Sequence, residues 1–521
     1  MIQKHKKTLI NLSVIILVAI VVTLWGNYAV ERQIKKVLQG LPKTIQLQYT
    51  SIKANIWTGN VAIKLPQLSV IGEITDQPIL NAELKTIEIK DIGYYDFLIN
   101  DQISINYLIL DQLVVNYKYN PKVKRSSYNK GILEKLKQII HVEKVDFNNA
   151  DVLVLNSETD STLLSLPKFN FELKELQIQP EASNISNKIK FKDFKVSASN
   201  VKWAMNTFDD LFANTIEITD DYAVFNEFQI KTKYNRQEYS KILNVERDHF
   251  QLNIKQLKLN DLDYGFNIEN SFYLTSKEMN VVTPETEIYR DKLVTDDLKK
   301  KPLYSQLLRD LDFNLNIHLV EITNGKIAYL EKVNEDKSAG RLDFTNLNAT
   351  IVNLGNINGS EETQIKVNST FMDNSSLAVR WDFKVNDNTD QFSFKADLGL
   401  FNADQLDQFT NANLNIDLNG QLQQTYFTIS GNKKASRVDL KMKYNDFEVA
   451  ILKKNGKEKN RLLSKLVNLI VSKNSNETKN NFRYGQDYKV ERDVTKSVFN
   501  YIWLNVKQGL LAAMTGKGVI K

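Results

Sequence analysis

Cysteine is absent from this 521-residue chain. Its absence removes disulfides, thiolate nucleophiles and zinc-thiolate sites, and leaves the redox compartment open. Proline (8) and glycine (19) are scarce, and no Pro/Gly/Ser-rich linker divides the chain. The four histidines are His5, His141, His249 and His318; none has a neighbour at metal-ligand spacing, and no H-E-x-x-H occurs. His318 falls within the alternating run Leu315–Leu319 and reads as an outward polar position. No G-x-S-x-G is present, nor a G-x-G-x-x-G after a strand, and Gly516-Lys517-Gly518 lacks the rest of a phosphate-binding loop. The acidic pairs Asp209-Asp210, Asp220-Asp221 and Asp296-Asp297 are adjacent in sequence, so on a strand their side chains point to opposite faces. No catalytic, cofactor-binding or metal-ligating residue is therefore assigned, and the expectation is a protein without enzymatic activity or cofactor. A charge of one sign is missing too: 68 basic residues nearly cancel 62 acidic ones, and no basic block interleaves with aromatics. A nucleic-acid partner is not expected.

Long apolar runs are also lacking, with one exception. Leu9–Trp25 is uncharged and almost wholly apolar, and at about 1.5 Å per residue it spans roughly 25 Å, the short end of a membrane-crossing helix. A cleaved signal peptide has the same outline. The segment after it, Leu24-Trp25-Gly26-Asn27-Tyr28-Ala29, lacks a small-x-small cleavage site, which favours an uncleaved anchor. Lys4, Lys6 and Lys7 argue for a cytoplasmic N-terminus, against Arg32, Lys35 and Lys36 on the other side. The body is expected outside the cytoplasm.

What the chain has in plenty is alternation. Asn, Asp and Lys alternate with Leu, Ile, Val and Phe, as in strands with one apolar and one polar face. A ten-residue phrase recurs as Leu108–Tyr117, Val145–Val154, Leu257–Phe266 and Val320–Tyr329. Apolar residues fill its first, third, eighth and tenth positions, and small polar steps such as Asp111-Gln112 and Asn148-Asn149 fill its fourth and fifth. Each phrase reads as strand, turn or bulge, then strand. Recurrence of one such unit marks an architecture whose units bury their faces against neighbours. Leu108, Leu110, Val145, Phe147, Leu257, Leu259, Val320 and Ile322 open the four phrases and would line either a packed core or a groove for acyl chains; alternation alone does not separate the two.

Helical spacing is confined to short stretches. Tyr28–Leu41 places Val30, Ile34, Val37, Leu38 and Leu41 on one face; Ile132–Ile140, Leu298–Leu311 (with Thr295 as candidate N-cap) and Leu462–Ile470 are further amphipathic segments. Near the C-terminus Phe499, Ile502, Trp503, Val506, Leu510 and Met514 recur at three- and four-residue steps, while Gly509 weakens the helix. This helix would dock on the β body or rest in a membrane interface with Trp503 at headgroup depth.

The resulting division is a cytoplasmic N-terminus (1–8), an anchor (9–25), an N-terminal β region (26–141), a central repetitive β region with a helical insertion near 295–311 (142–350), a C-terminal amphipathic β region and helix (351–472), a flexible polar segment (473–493) and a terminal amphipathic helix (494–521). Tyr234–His249 and Val281–Leu293 are the expected loop regions. The fold class is mainly β with a few amphipathic helices, a transmembrane helix leading into an elongated, repetitive β body that reads as one continuous body with helical plugs or equally as two sandwiches in tandem.

The order of elements is similar to that of AsmA-like envelope proteins. After the anchor, Tyr49–Val70 (YTSIKANIWTGNVAIKLPQLSV) resembles the start of that family, with Ile56-Trp57-Thr58-Gly59-Asn60-Val61 as its Gly step. Tyr95-Asp96-Phe97-Leu98 followed by Ile103–Leu110 resembles the pattern that introduces the family's strand phrase. Met442–Lys454, Leu462–Ile470 and Val498–Leu510 resemble the terminal block of its shorter branch. The resemblance covers both ends and the middle by texture only. It implies an inner-membrane-anchored protein of the Gram-negative periplasm whose half-open sheet forms a β-groove that carries or bridges phospholipids towards the outer membrane, with envelope proteins as further partners. The alternative is an anchored scaffold that binds envelope proteins and holds no lipid conduit.

Overall fold

The structure, a computed structural model, describes residues 2–41, 43–72, 77–93, 96, 102–120, 122, 139–179, 188–267, 271–357, 362–453, 464, 473–475 and 481–515. The Leu462–Ile470 helix, the Tyr95–Leu98 motif and Gly516–Gly518 lie wholly or almost wholly outside these residues. Strand accounts for 61% and helix for 16%, so the chain is mainly β, built on open, uncurled mixed sheet. It divides into two compact units: residues 1–207 with 211–220, and residues 208–210 with 221–521. This division falls inside the region 142–350.

The first unit opens with one helix, α1 (Ile2–Gln39), so the expected anchor and the following amphipathic segment form a single rod. No proline interrupts it. Its C-terminal turns lay Val30, Ile34 and Leu38 on Ile52, Val61 and Ile63 of the sheet. Short strands follow: β1 (Ile45–Gln48), β2 (Ser51–Asn55), β3 (Asn60–Lys64), β4 (Gln67–Ile71), β5 (Pro78–Glu83), β6 (Thr86–Ile92), β7 (Gln102–Asp111) and β8 (Val114–Tyr119). They run into the long β9 (Ile139–Asn156), then β10 (Thr162–Ile178), β11 (Ile189–Lys190) and β12 (Phe194–Ala204). Two lanes of antiparallel pairs, β2-β3-β6-β7 and β1-β4-β5-β8, converge on β9, which pairs in parallel with β7 along its first half and β8 along its second. Each couple such as β7 and β8 is thus one long strand with a break in the middle. Ile139 and Ile140, expected in a helix, open β9 instead.

The second unit is a second meander. After β13 (Asp209–Thr219), it comprises β14 (Ala223–Thr232), helix α2 (Arg236–Ile242), β15 (His249–Phe266), β16 (Phe272–Asp291), helix α3 (Tyr304–Arg309), β17 (Asn314–Lys332), β18 (Gly340–Gly355), β19 (Glu362–Phe371), β20 (Ser375–Lys384), β21 (Phe392–Leu398) and β22 (Phe401–Asn402). A 3-10 turn (Ala403–Leu406), helix α4 (Asp407–Asn413), β23 (Ile416–Gly431), β24 (Ala435–Ile451), β25 (Arg483–Glu491) and helix α5 (Val498–Thr515) complete it. Among the described residues a parallel seam joins β16 to β17, and the pairings β14-β15-β16 and from β17 through to β25 are antiparallel.

Several local expectations are corrected. Val281–Leu293 is not a loop: it lies in β16 as far as Asp291. Tyr234–His249 holds α2, closed by a capping box in which Asn235 and Glu238 satisfy each other's backbone. The helix expected over Leu298–Leu311 is shortened to Tyr304–Arg309 with Leu303, not Thr295, at its N-cap. Pro302 disfavours helical backbone at Lys301 and delays the start. The polar segment expected to be flexible contains β25, which completes its backbone hydrogen bonds along β24.

The recurring phrase has a definite backbone meaning. Its third and eighth residues are five apart, and in a regular strand an odd separation puts side chains on opposite faces. One inserted residue restores them to the same face. In all four phrases the fifth residue is that insertion, with left-handed backbone: Gln112 (φ 51), Asn149 (φ 51), Asp261 (φ 48) and Asn324 (φ 53). The parallel pairing of β7 and β8 with β9 sets phrase on phrase, Leu108 beside Val145 and Tyr117 beside Val154. Phrase four pairs the same way with Met279–Ile288 of β16, a copy whose fifth residue is Thr283 (φ 49). Lys168, Asn200, Glu227, Asn346 and Asp446 mark further breaks of this kind within strands.

Left-handed backbone costs an ordinary residue about 1–2 kcal/mol, and Asn and Asp tolerate it best. Of the twenty non-glycine residues with positive φ among the described ones, thirteen are Asn or Asp. They stand where glycine, scarce in this chain, would otherwise serve. Breaks also expose backbone donors, and side chains of neighbouring segments supply acceptors. Asn149 N–H donates to Asn170 Oδ1 (2.9 Å), Lys168 N–H to Asp151 Oδ1 (3.1 Å), Asn324 N–H to Asn348 Oδ1 (3.1 Å) and Asp446 N–H to Asn474 Oδ1 (2.8 Å). We expect Asn324→Val to lower stability by about 1–2 kcal/mol in denaturant titrations and Asn324→Gly to stay within a few tenths. Equal losses for both would show that backbone conformation is not what Asn324 contributes.

Candidate functional site

The eight residues that open the phrases fall on apolar faces. In the first unit Leu108, Leu110, Val145 and Phe147 meet Ile105, Val142, Leu173 and Phe171 in one cluster, with Val145 4% exposed and the other three half-buried. Phe147 and Phe171 tilt against each other at 5.3 Å. In the second unit Leu257, Val320 and Ile322 join Ile254, Val281 and Ile317, with Val320 3% exposed. Leu259, half-buried, lies outside that cluster.

Shared residues fuse the clusters of the first unit into one continuous face. Ile87 and Ile89 belong both to the patch under α1 and to the strand clusters beyond it; Leu110 and Phe147 join those two clusters to each other. Phe169 extends the face to Ala198, Val201 and Ala213. The sixth phrase position, just past each break, is buried in every copy: Leu113, Ala150, Leu262 and Gly325. Contacts in this face run sideways between neighbouring strands. Among the described residues no helix covers it beyond α1, whose reach ends with the Ile52, Val61 and Ile63 patch. The Val281–Val320 cluster is likewise made of strand residues alone.

The far end of the second unit is different, because α5 covers it. The buried stripe of α5 is Val498, Tyr501, Ile502, Asn505, Gly509 and Ala513, resting on β24 and β25. Of the residues expected to form its apolar face, Ile502 is buried, and Val506, Leu510 and Met514 pack at the edges of the two core clusters. Phe499 and Trp503 stay 62% and 44% exposed. Gly509 is a contact point as well as a weak helix former: a Cβ on Gly485 of β25 would lie 2.0 Å from its carbonyl oxygen. The pair Gly509 and Ala513, four apart, was the sequence signal for this close approach.

A buried charge cluster fastens the segment that leads into α5. The Glu246 carboxylate is fully buried and receives Lys292 Nζ at 2.7 Å and Lys496 Nζ at 3.3 Å, with Arg290 at 3.8 Å. Lys496 also reaches Asp296 at 2.8 Å, and Lys301 N–H donates to the Val494 carbonyl at 2.8 Å. Burial by itself would raise the Glu246 pKa, but the Lys292 hydrogen bond and the surrounding positive charges outweigh it and hold the group below its ordinary range. At α4 the balance is opposite. Burial, helped by a hydrogen bond and charge from Asp417, pushes Asp407 up to about 6, although its carboxylate accepts the Leu418 N–H at 3.0 Å.

Chemistry is sparse on these faces. Among the described residues no group of three His, Cys, Asp or Glu is placed to hold a metal. His318 is exposed, and the His249 ring lies 2.9 Å from the Tyr234 carbonyl and edge-on to Tyr239. An open cavity of about 280 Å3 lies at the β2–β3 hairpin, lined by Lys53, Asn55, Thr58, Asn60, Glu88 and Lys90 among others. No family model matches this chain, and no curated protein matches it either.

Two outcomes follow for the charged groups. Glu246→Gln leaves buried cations under-compensated and should cost about 3 kcal/mol, with faster proteolysis near residue 494; an unchanged melting curve would refute the clasp. The raised Asp407 pKa means that the folded chain binds a proton more tightly there than the unfolded chain. Stability should therefore fall by about 1 kcal/mol, after allowance for solvent screening, as pH rises from about 4 to 6. Asp407→Asn should flatten that slope in melts run across this range.

Proposed function

We propose that this chain is an AsmA-like, membrane-anchored protein without enzymatic activity, whose apolar sheet face shields phospholipid acyl chains in the periplasm of a Gram-negative envelope and so supports outer-membrane lipid homeostasis. One observation carries this reading: a continuous apolar face that begins under α1 and continues through Ile87, Leu108, Val145 and Phe169 with no second layer over it among the described residues. A sheet normally buries its apolar face against another element. An uncovered one of this extent loses free energy in water, at about 25 cal/mol for each Å2, and that surface is complementary to acyl chains, which need no directional partner. The first unit also carries ion pairs two residues apart along its strands, Lys90–Glu88, Lys144–Asp146 and Lys174–Glu172, that suit contact with water.

The helix at the N-terminus supports anchoring. Within α1, Ile15–Lys36 is long and apolar enough to cross a membrane, and it lies near the N-terminus, where a signal sequence passes the same test. The scaffold alternative draws on α5, which keeps Phe499 and Trp503 exposed on a docked helix, a surface suited to an envelope protein.

Mass spectrometry of the gently extracted full-length chain tests the proposal. Phospholipid should co-purify, and a photo-crosslinker placed at Leu108 or Ile322 should capture acyl chains, whereas one at the exposed polar-face residue Asn116 should not. Equal capture at all three positions, or none with no bound lipid, would overturn it in favour of the scaffold.

A further inference from the structure

The β2–β3 hairpin does not stop at the end of the sheet. Its tip runs back along α1, against the direction in which the chain leaves that helix. Trp57 Nε1–H donates to Thr23 Oγ1 at 2.8 Å, and Ile56 N–H donates to Asn27 Oδ1 at 2.8 Å. Ala54 N–H donates to Glu31 Oε1 at 3.1 Å. Gly26 permits this approach, since a Cβ there would lie 2.5 Å from Ile56 Cδ1.

These contacts fix a depth. The helix carries no charged residue from Thr8 to Val30, a stretch of about 34 Å at 1.5 Å per residue, close to the thickness of a bilayer's hydrocarbon core. Thr23 lies eight residues before Glu31, or about 12 Å inside the first charge. Trp57, 68% exposed, is thereby held within about 8 Å along the helix axis of Trp25 and Tyr28, also exposed, and such aromatic residues concentrate at membrane surfaces.

The tip also has the internal hydrogen bonding that a lipid environment demands. Backbone donors left unpaired in hydrocarbon are costly, so irregular backbone at that depth must be satisfied within the protein. The donors of Ala54 and Ile56 go to helix side chains, and Asn55 Oδ1 accepts from Trp57 N–H (3.0 Å) and Thr58 N–H (3.4 Å). Gly59 C=O accepts from Ile92 N–H at 3.0 Å. Charge begins behind the tip, where exposed Asp91 lies against Gly59 and Lys53, Glu88 and Lys90 line the cavity, and long lysine side chains there can carry their ammonium groups to the membrane surface.

We propose that the tip of this hairpin, Ile56-Trp57-Thr58, is embedded in the interfacial layer of the bilayer that α1 crosses, so that the apolar face starts inside the membrane. The inference rests on α1 being a membrane span, and extends the proposed function by placing the entry to the lipid-shielding face at Ile87 and Ile89, at the margin of the patch that α1 covers. The chain's lack of cysteine allows single-cysteine labelling of the full-length protein in phospholipid vesicles. Nitroxide labels at Val18 (mid-helix), Thr58 (tip) and Asn116 (polar face of the first unit) report depth through relaxation by oxygen against a water-soluble nickel chelate. The expected result is that Val18 and Thr58 favour oxygen several-fold over Asn116, with Thr58 the shallower of the two. A label at Trp57, already exposed, repeats the measurement should Thr58→Cys disturb the turn. If Val18 reads as buried in lipid while Thr58 and Trp57 match Asn116, the hairpin proposal fails and the anchor stands. If Val18 also reads as water-exposed, the span itself fails and the hairpin proposal with it. Loss of co-purified lipid is a separate measurement and leaves these depths unchanged.

Discussion

Much of this structure depends on the left-handed residue in the middle of its long strands. A strand of about 18 residues that kept strict alternation would need apolar side chains at every second position throughout. This chain instead inserts one residue at Gln112, Asn149, Asp261, Thr283 and Asn324, shifts its apolar positions by one, and keeps them on one face. In the parallel seams the insertions stand side by side, Gln112 next to Asn149 and Thr283 next to Asn324, so neighbouring strands change step together. Side-chain carbonyl and carboxylate oxygens of Asn170, Asp151 and Asn348 accept the donors that the breaks release. Without that accommodation the apolar face would change sides at each break, and neither a core nor a lipid-shielding surface would be continuous.

The two ends of the chain solve the problem of an open apolar face in different ways. At the C-terminal end α5 closes it, held by small residues at Gly485, Gly509 and Ala513 and by the buried Glu246 cluster at its entry. At the N-terminal end α1 touches only the first patch, and the face beyond it has no cover among the described residues. The contrast bears on function. A helix can seal a sheet in this chain, yet among the described residues none lies over the strands beyond the α1 patch.

Legibility varied with how local the cause was. The four phrases declared strand, step and strand because each carried four large apolar residues around a polar pair. Leu164–Leu173 has the same four apolar positions, but its step is Pro167-Lys168, which lacks the small polar pair that marks the other copies. Met279–Ile288 has Thr286 in the eighth place, which concealed the partner of the fourth phrase. The helix over Leu298–Leu311 is shorter than its leucine spacing suggests because Pro302 disfavours helical backbone before it. For α5 the large residues suggested the docking face, whereas close packing is decided by the small ones, Gly509 and Ala513.

By itself the sequence determined the β class, the apolar N-terminal rod and the faces on which Leu108, Val145 and Val320 lie. These follow from periodicity and composition, which act over a few residues. Tertiary structure alone decided which phrase pairs with which, that Asn and Asp side chains across a strand satisfy the breaks, that α5 covers the face at the C-terminal end, and that a hairpin returns along α1 as far as Thr23. Those outcomes depend on contacts between residues tens to hundreds of positions apart, and no local pattern encodes which distant backbone group will be left in need of a partner.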